Sequence, residues 1–182
     1  MKTLILIASP RKAGDSAYMA SLLEKHLTGE AEILHLADEK IAPCIDCRAC
    51  QKQKGCALGD DFEPVAQKIQ LADAVVVASP IWFGTLPGPF LSAMSRLQCF
   101  FSARIFRGEG ASFWGKKGAV LLSGGGSGGK DAAFRTAEIL LREMGAEGEI
   151  LKVYAPDTDF RPAREDPSLE DQIQKIAKSL CE

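Results

Sequence analysis

Four cysteines, Cys44, Cys47, Cys50 and Cys56, fall within thirteen residues at spacings x2, x2 and x5. Thiolates packed this densely on one loop can wrap a single iron–sulfur cluster or a single metal ion. A [4Fe–4S] cube is the preferred ligand, because the long last interval contains Gly55, which helps the chain turn back on the same centre. Zinc uses the same ligand type, although its sites more often pair two C-x2-C knuckles across a longer spacer. Reduced thiols on a loop also stand without any metal, so cluster, zinc and metal-free loop remain three readings.

Three further segments carry chemistry. Ser9-Pro10-Arg11-Lys12-Ala13-Gly14-Asp15-Ser16-Ala17 joins an apolar run to an amphipathic one. Backbone N–H groups at a helix start, two hydroxyls and Arg11 suit a phosphate; the plain alternative is a connecting loop with Ser16 as the helix cap. Ser79-Pro80-Ile81-Trp82-Phe83-Gly84-Thr85-Leu86-Pro87-Gly88 sets two aromatics in a stiff turn, which suits the rim of a planar ring system; packing of either ring into the core is the alternative. Gly124 to Lys130 matches both G-x-x-x-x-G-K and G-x-G-x-x-G, yet Asp131 stands where a Mg²⁺-ligating Ser or Thr belongs, and any glycine-rich stretch produces such matches. Its better reading is a backbone wall that a flat ligand can approach closely.

Other chemistries are excluded or unsupported. No Cys precedes an Arg in C-x5-R spacing, and no Asp ends the first apolar run. His26 and His35 are the only histidines, and neither belongs to a metalloprotease or hydrolase pattern. Asp60-Asp61 reads as a helix start rather than an acid–base pair. Cys99 and Cys181 read as small residues within helices.

These residues need a scaffold, and the 182-residue chain describes one. Its 46% apolar and 25% charged content is that of a globular protein. The length suits one domain, 1–182, with 41–59 as a cysteine-rich loop insertion. A net charge of −2 leaves no footprint for nucleic acid. No run reaches the ~18 apolar residues of a membrane helix. The short run Leu4–Ala8, followed by Arg11-Lys12, does not form a signal peptide; with the reduced-cysteine pattern it predicts a cytoplasmic protein. Buried strands are expected at Thr3–Ala8, Ala31–Leu36, Ala74–Ala78, Gly118–Leu122 and Glu149–Val153. Helices are expected over 16–27, from Asp60-Asp61 to Leu71, within 86–101, over 132–144 and over 169–180, the last behind a capping box at Ser168. Segment 102–117, with Phe106, Phe113 and Trp114, reads as a long functional loop. Alternating strands and helices predict an α/β, three-layer fold with a five-stranded parallel sheet in the order 2-1-3-4-5. That topology brings 9–17, 79–86 and 123–130 to one edge, outside the carboxyl ends of strands 1 and 3.

With these motifs, the sequence resembles the NAD(P)H-dependent FMN reductases of the flavodoxin-like superfold, and within them the iron–sulfur flavoproteins. The resemblance rests on S-P-R-x-x-G-x-S at 9–16, P-I-W-F-G-T-L-P-G-P at 80–89, the glycine loop at 123–129, and C-x2-C-x2-C-x5-C leading into Asp60-Asp61. It implies FMN with its phosphate on Ser9, Arg11, Asp15, Ser16 and Ala17. Its isoalloxazine is implied against Pro80, Ile81, Trp82, Phe83, Gly84, Thr85, Ser123, Gly124, Gly125 and Gly126. It also implies NAD(P)H as electron donor, an electron acceptor it does not name, and a homodimer or homotetramer with flavin sites near subunit contacts. No side chain is required as general acid or base, because the flavin carries the chemistry. Asp15 stands where Asn is common in such loops, Trp82 where Tyr is frequent, and Ser95 where an acid is often found.

Overall fold

The computed structural model describes residues 1–109, 114–126 and 129–182. Its sheet contains β1 (Lys2–Ile7), β2 (Glu30–His35), β3 (Ala74–Pro80), β4 (Lys116–Ser123) and β5 (Ala146–Ala155), all parallel, in the order β2-β1-β3-β4-β5. The continuous apolar runs explain why. Side chains alternate across a strand, so a strand covered on both faces must be apolar at every position. Leu4, Leu6, Val75, Val77, Val120 and Leu122 point to one face. Ile5, Ile7, Val76, Ala78, Ala119 and Leu121 point to the other.

Helices α1 (Asp15–His26) and α6 (Leu169–Cys181) cover the second face, where Met19, Leu23, Ile173 and Leu180 pack. Helices α2 (Phe62–Leu71), α3 (Gly88–Met94), α4 (Gln98–Phe106) and α5 (Lys130–Glu143) cover the first, through Phe62, Phe90, Phe100 and Phe134. Cys50 and Cys56 pack against this first face, so the cysteine loop is docked on the α2–α4 side.

Four expectations change. The helix placed within 86–101 is two helices separated by a 3₁₀ turn at Ser95–Leu97. That break lets Arg96 turn inward, where it is fully buried. The helix then continues to Phe106, so 102–106 are not loop; Phe113 lies outside the described residues, as do Ser127 and Gly128 of the glycine loop. Ser168 makes no capping box: Asp166 Oδ1 accepts from its N–H and hydroxyl instead. Of the acid pair at the start of α2, Asp60 Oδ1 accepts from Phe62 N–H at 3.2 Å, whereas Asp61 caps nothing through its side chain and accepts from Lys40 N–H at 2.7 Å instead.

Candidate active site

The parallel strands end together, and their exits are knitted by main-chain bonds. Ala8 N–H donates to Ala78 C=O, Ile81 N–H to Ser123 C=O and Gly124 N–H to Ala155 C=O. These bonds bring the three sequence-distant segments to one edge. A cavity of about 480 Å³ opens there, lined by Ser9, Arg11, Asp15, Pro80, Ile81, Trp82, Ser123 and Gly125, with Thr158 and Asp159. Its volume is that of a small-molecule or cofactor site.

At the end of the cavity next to α1, Gly14 precedes the helix and no side chain caps it. The first-turn N–H groups are left to an external anion, which the helix dipole also favours. The reading of Ser16 as helix cap does not hold. Its buried hydroxyl lies 3.2 Å from that of Ser123, linking the first segment to the third. Ser9 Oγ accepts from Arg11 N–H. Asp15 is engaged: Oδ1 accepts from Ala163 N–H at 2.8 Å and Oδ2 from Arg11 Nη2 at 3.3 Å. Those donors offset the charge that would otherwise oppose a phosphate. Ala17 faces a neighbouring cavity shared with Lys12, Tyr18 and Arg164.

Beyond β3, Trp82 and Thr85 exchange both backbone hydrogen bonds across Phe83-Gly84. Both central residues have positive φ, 51° and 79°, which makes a type I′ turn. Phe83 is therefore held left-handed, and its ring is wholly exposed, outside the cavity. A bulky residue in that region carries about 1–2 kcal/mol of strain. Phe83→Asn is accordingly expected to stabilise the protein by about 1 kcal/mol, read as a higher urea midpoint at unchanged slope. Gly84 lies under the third segment: a Cβ on Gly129 would come within 3.0 Å of its Cα.

The glycine wall is close-fitting. A Cβ on Gly124 would meet the Tyr154 hydroxyl at 2.6 Å, and one on Gly125 the Asp159 carboxylate at 2.1 Å. Tyr154 donates to Gly126 C=O at 2.6 Å, and burial, with Asp157 nearby, pushes its phenol up, so it keeps its proton. Thr158 N–H donates to Gly124 C=O. The segment after β5 thus contributes Thr158 and Asp159, for which the sequence offers only their position beyond a strand end.

The cysteine loop builds a second cavity, lined by Cys44, Cys47, Cys50, Cys56 and Cys99, with Arg96 and Ser102. It shares no lining residue with the first. Its scaffold is the segment from Ser95 to Arg107. Cys44 N–H donates to Ser95 Oγ at 2.9 Å, Cys50 Sγ donates to Ser102 Oγ at 3.3 Å, and Arg107 donates to Cys50 C=O. Arg96 Nε donates to Cys56 Sγ at 3.2 Å, and its remaining donors reach Ala42 C=O, Leu58 C=O and both oxygens of Asp60. Burial, with Cys56 and Cys50 nearby, pushes the Cys99 thiol up to about 12, which keeps this fifth sulfur protonated. Among the described residues no three His, Cys, Asp or Glu side chains stand close enough to share one ion. The donor set itself, four thiols lining one cavity with a buried N–H donor on Cys56, fits a thiolate-bound cluster in chemistry. The loop between the four cysteines turns through positive φ at Asp46, Arg48 and Gly55.

Comparison with known proteins agrees with this layout. The family described as NADPH-dependent FMN reductase matches residues 1–176. An iron–sulfur flavoprotein of Methanosarcina thermophila is 27% identical over 190 residues, spanning 100% of this chain and 94% of its own. Another, from Archaeoglobus fulgidus, is 40% identical over 90 residues, covering 48% of this chain and 44% of the relative. The FMN-dependent NADH-azoreductase of Bacillus anthracis, solved in complex with FMN, superposes with a TM-score of 0.70 at 16% identity over 100% of both chains, which shows a shared fold. The chain belongs to the NADPH-dependent FMN reductase family, as an oxidoreductase built on the flavodoxin-like fold.

Proposed function

We propose that this chain binds FMN in the cavity at the strand ends, takes reducing equivalents from NAD(P)H and passes them to a small-molecule or protein acceptor. The observation that carries this is the convergence of three loops on one cavity beside an uncapped helix start. FMN supplies hydride acceptance and the conversion between two-electron and one-electron transfer. The α1 amides, Ser9 and Arg11 hold its phosphate, with Ser16 and Ser123 bracing the two loops against each other. Pro80, Ile81, Trp82 and the Ser123–Gly126 backbone flank the ring, and Gly125 admits it at contact distance. No side chain needs to move a proton.

The four cysteines are read as holding a [4Fe–4S] cluster. The all-thiol donor set and the buried Arg96 beside it support this, as do the names of the iron–sulfur relatives. Such a centre would exchange single electrons. A homodimer or homotetramer in the cytoplasm is the assembly proposed. Exposed Phe83 and Phe160, neighbours in sequence of cavity-lining residues, support a contact at this face.

The test is an absorption spectrum of anaerobically purified protein before and after NADH or NADPH. Resolved flavin bands that bleach on adding either nucleotide are expected, over a broad cluster shoulder. Flavin bands that do not bleach would instead favour a non-enzymatic electron carrier. Protein that stays colourless after FMN addition and contains zinc would sink the proposal.

A further inference from the structure

The guanidinium of Arg96 spends all its hydrogen bonds on one loop. Its side chain has no exposed surface. Nη1 donates to Ala42 C=O at 2.9 Å and Asp60 Oδ2 at 2.6 Å, and Nη2 to Leu58 C=O at 3.3 Å and Asp60 Oδ1 at 3.0 Å. The Phe62 ring lies 5.0 Å from the guanidinium carbon. The group is planar and rigid, so four bonds through the two terminal nitrogens fix the direction of the fifth donor. That donor, Nε–H, is aimed at Cys56 Sγ at 3.2 Å. Asp60, bound through both oxygens, offsets the positive charge. What remains specific to the sulfur is a directed N–H···S hydrogen bond that cannot swing away.

From this geometry we propose that Arg96 is a positioning residue that sets the reduction potential of the cluster on Cys44, Cys47, Cys50 and Cys56; this rests on the cluster reading above. Reduction adds an electron that is shared onto the ligand sulfurs. A donor fixed on one of those sulfurs stabilises the reduced state more than the oxidised state, which raises the potential. Burial of the guanidinium strengthens the bond, because water does not reach the donor side to compete for the N–H. The 3₁₀ turn at Ser95–Leu97 is the structural reason the donor is there: in an unbroken helix, residue 96 would follow the register of α3 rather than turn toward the loop.

The test uses the whole protein, purified anaerobically, as wild type, Arg96→Gln and Arg96→Lys. Three quantities are read: iron and acid-labile sulfide per chain, FMN affinity, and the cluster potential by equilibrium titration, with the flavin of the same sample as internal reference. The expected result is a loaded Gln variant whose oxidised-to-reduced ratio at fixed potential rises at least tenfold, about 59 mV for a one-electron couple. The Lys variant is expected to shift the same way, because it keeps the charge but lacks Nε–H. Wild type that binds FMN and carries no iron overturns the cluster reading, and this proposal with it. Loaded variants whose ratio stays within twofold of wild type overturn the role of Arg96 alone. Variants that bind FMN normally but both lack iron also overturn it, leaving Arg96 a structural clamp.

Discussion

Asp60→Asn is expected to lower the stability of the protein by about 3 kcal/mol, the low end of the effect of removing one partner of a buried ion pair, because Arg96 is fully buried while Asp60 keeps 18% of its side-chain surface exposed. The exchange is nearly isosteric, so the loss comes from charge. Arg96, with no exposed side-chain surface, keeps its cation while the carboxylate that offsets it becomes a neutral amide. At roughly 2–4 °C per kcal/mol for a chain of this size, the melting temperature should fall by about 6–12 °C. The pH dependence gives an independent check. The Arg96 hydrogen bonds hold the Asp60 carboxyl below its ordinary value of 3.8 against the opposing effect of burial, with help from the Ala42 and Phe62 amides. A carboxyl whose folded pKa is depressed contributes stability that is complete above its unfolded pKa and is lost as pH falls through the folded one. The gap in melting temperature between wild type and Asp60→Asn should therefore stay constant from neutral pH down to about 4, and narrow below that. A gap that is equally wide at pH 7 and pH 3 would falsify the assignment of the stability to this pair.

The same pair shows where sequence reading stops. Asp60-Asp61 before an apolar periodic stretch looks like a helix start, and a helix does begin at Phe62. Nothing local reveals that Asp60 is bound to a residue 36 positions away. Arg96 sits in a stretch with helical periodicity, where an arginine reads as a solvent-facing residue; its burial follows from a 3₁₀ turn that propensity does not mark. Ser102 stands in the segment 102–117 that reads as a long loop with its own aromatics, yet α4 runs through it to Phe106 and carries the contact to Cys50. Strands were different. Ala74–Ala78 is apolar at every position, which only a strand covered on both faces requires, and the whole sheet order follows from alternation with helices. The three loops at the cavity could be placed for the same reason: each leaves the carboxyl end of a strand. Thr158 and Asp159 leave the end of β5 by the same rule, but one hydroxyl and one acid without a glycine run match no binding pattern. Topology was legible because it depends on runs of residues; the polar contacts that finish each site depend on single side chains meeting across the fold.

Gly125→Leu is expected to weaken FMN binding at least 100-fold while leaving the fold and the cysteine loop intact. A flat ring gains dispersion and backbone contacts only if it lies about 3.5–4.0 Å from the wall. Gly125 lines the same cavity as Pro80, Ile81 and Trp82. A side chain there starts from a Cβ that already meets the Asp159 carboxylate at 2.1 Å. Asp159 is exposed and can swing aside, so the backbone need not move and the protein still folds. The leucine then projects into the cavity and holds the ring away from the main chain. A hundredfold loss corresponds to about 2.8 kcal/mol, a modest share of the contact area of such a ring. Gly126→Ala is the matched comparison, because a Cβ at Gly126 meets nothing within 4 Å; it should change FMN affinity by no more than a few-fold, as the Tyr154 hydrogen bond to its carbonyl is retained. Both variants should keep wild-type circular dichroism, and flavin fluorescence quenching on titration gives the affinities. Equal affinity for wild type and Gly125→Leu would mean that the ring does not lie against this wall, and that the three converging loops serve some other ligand.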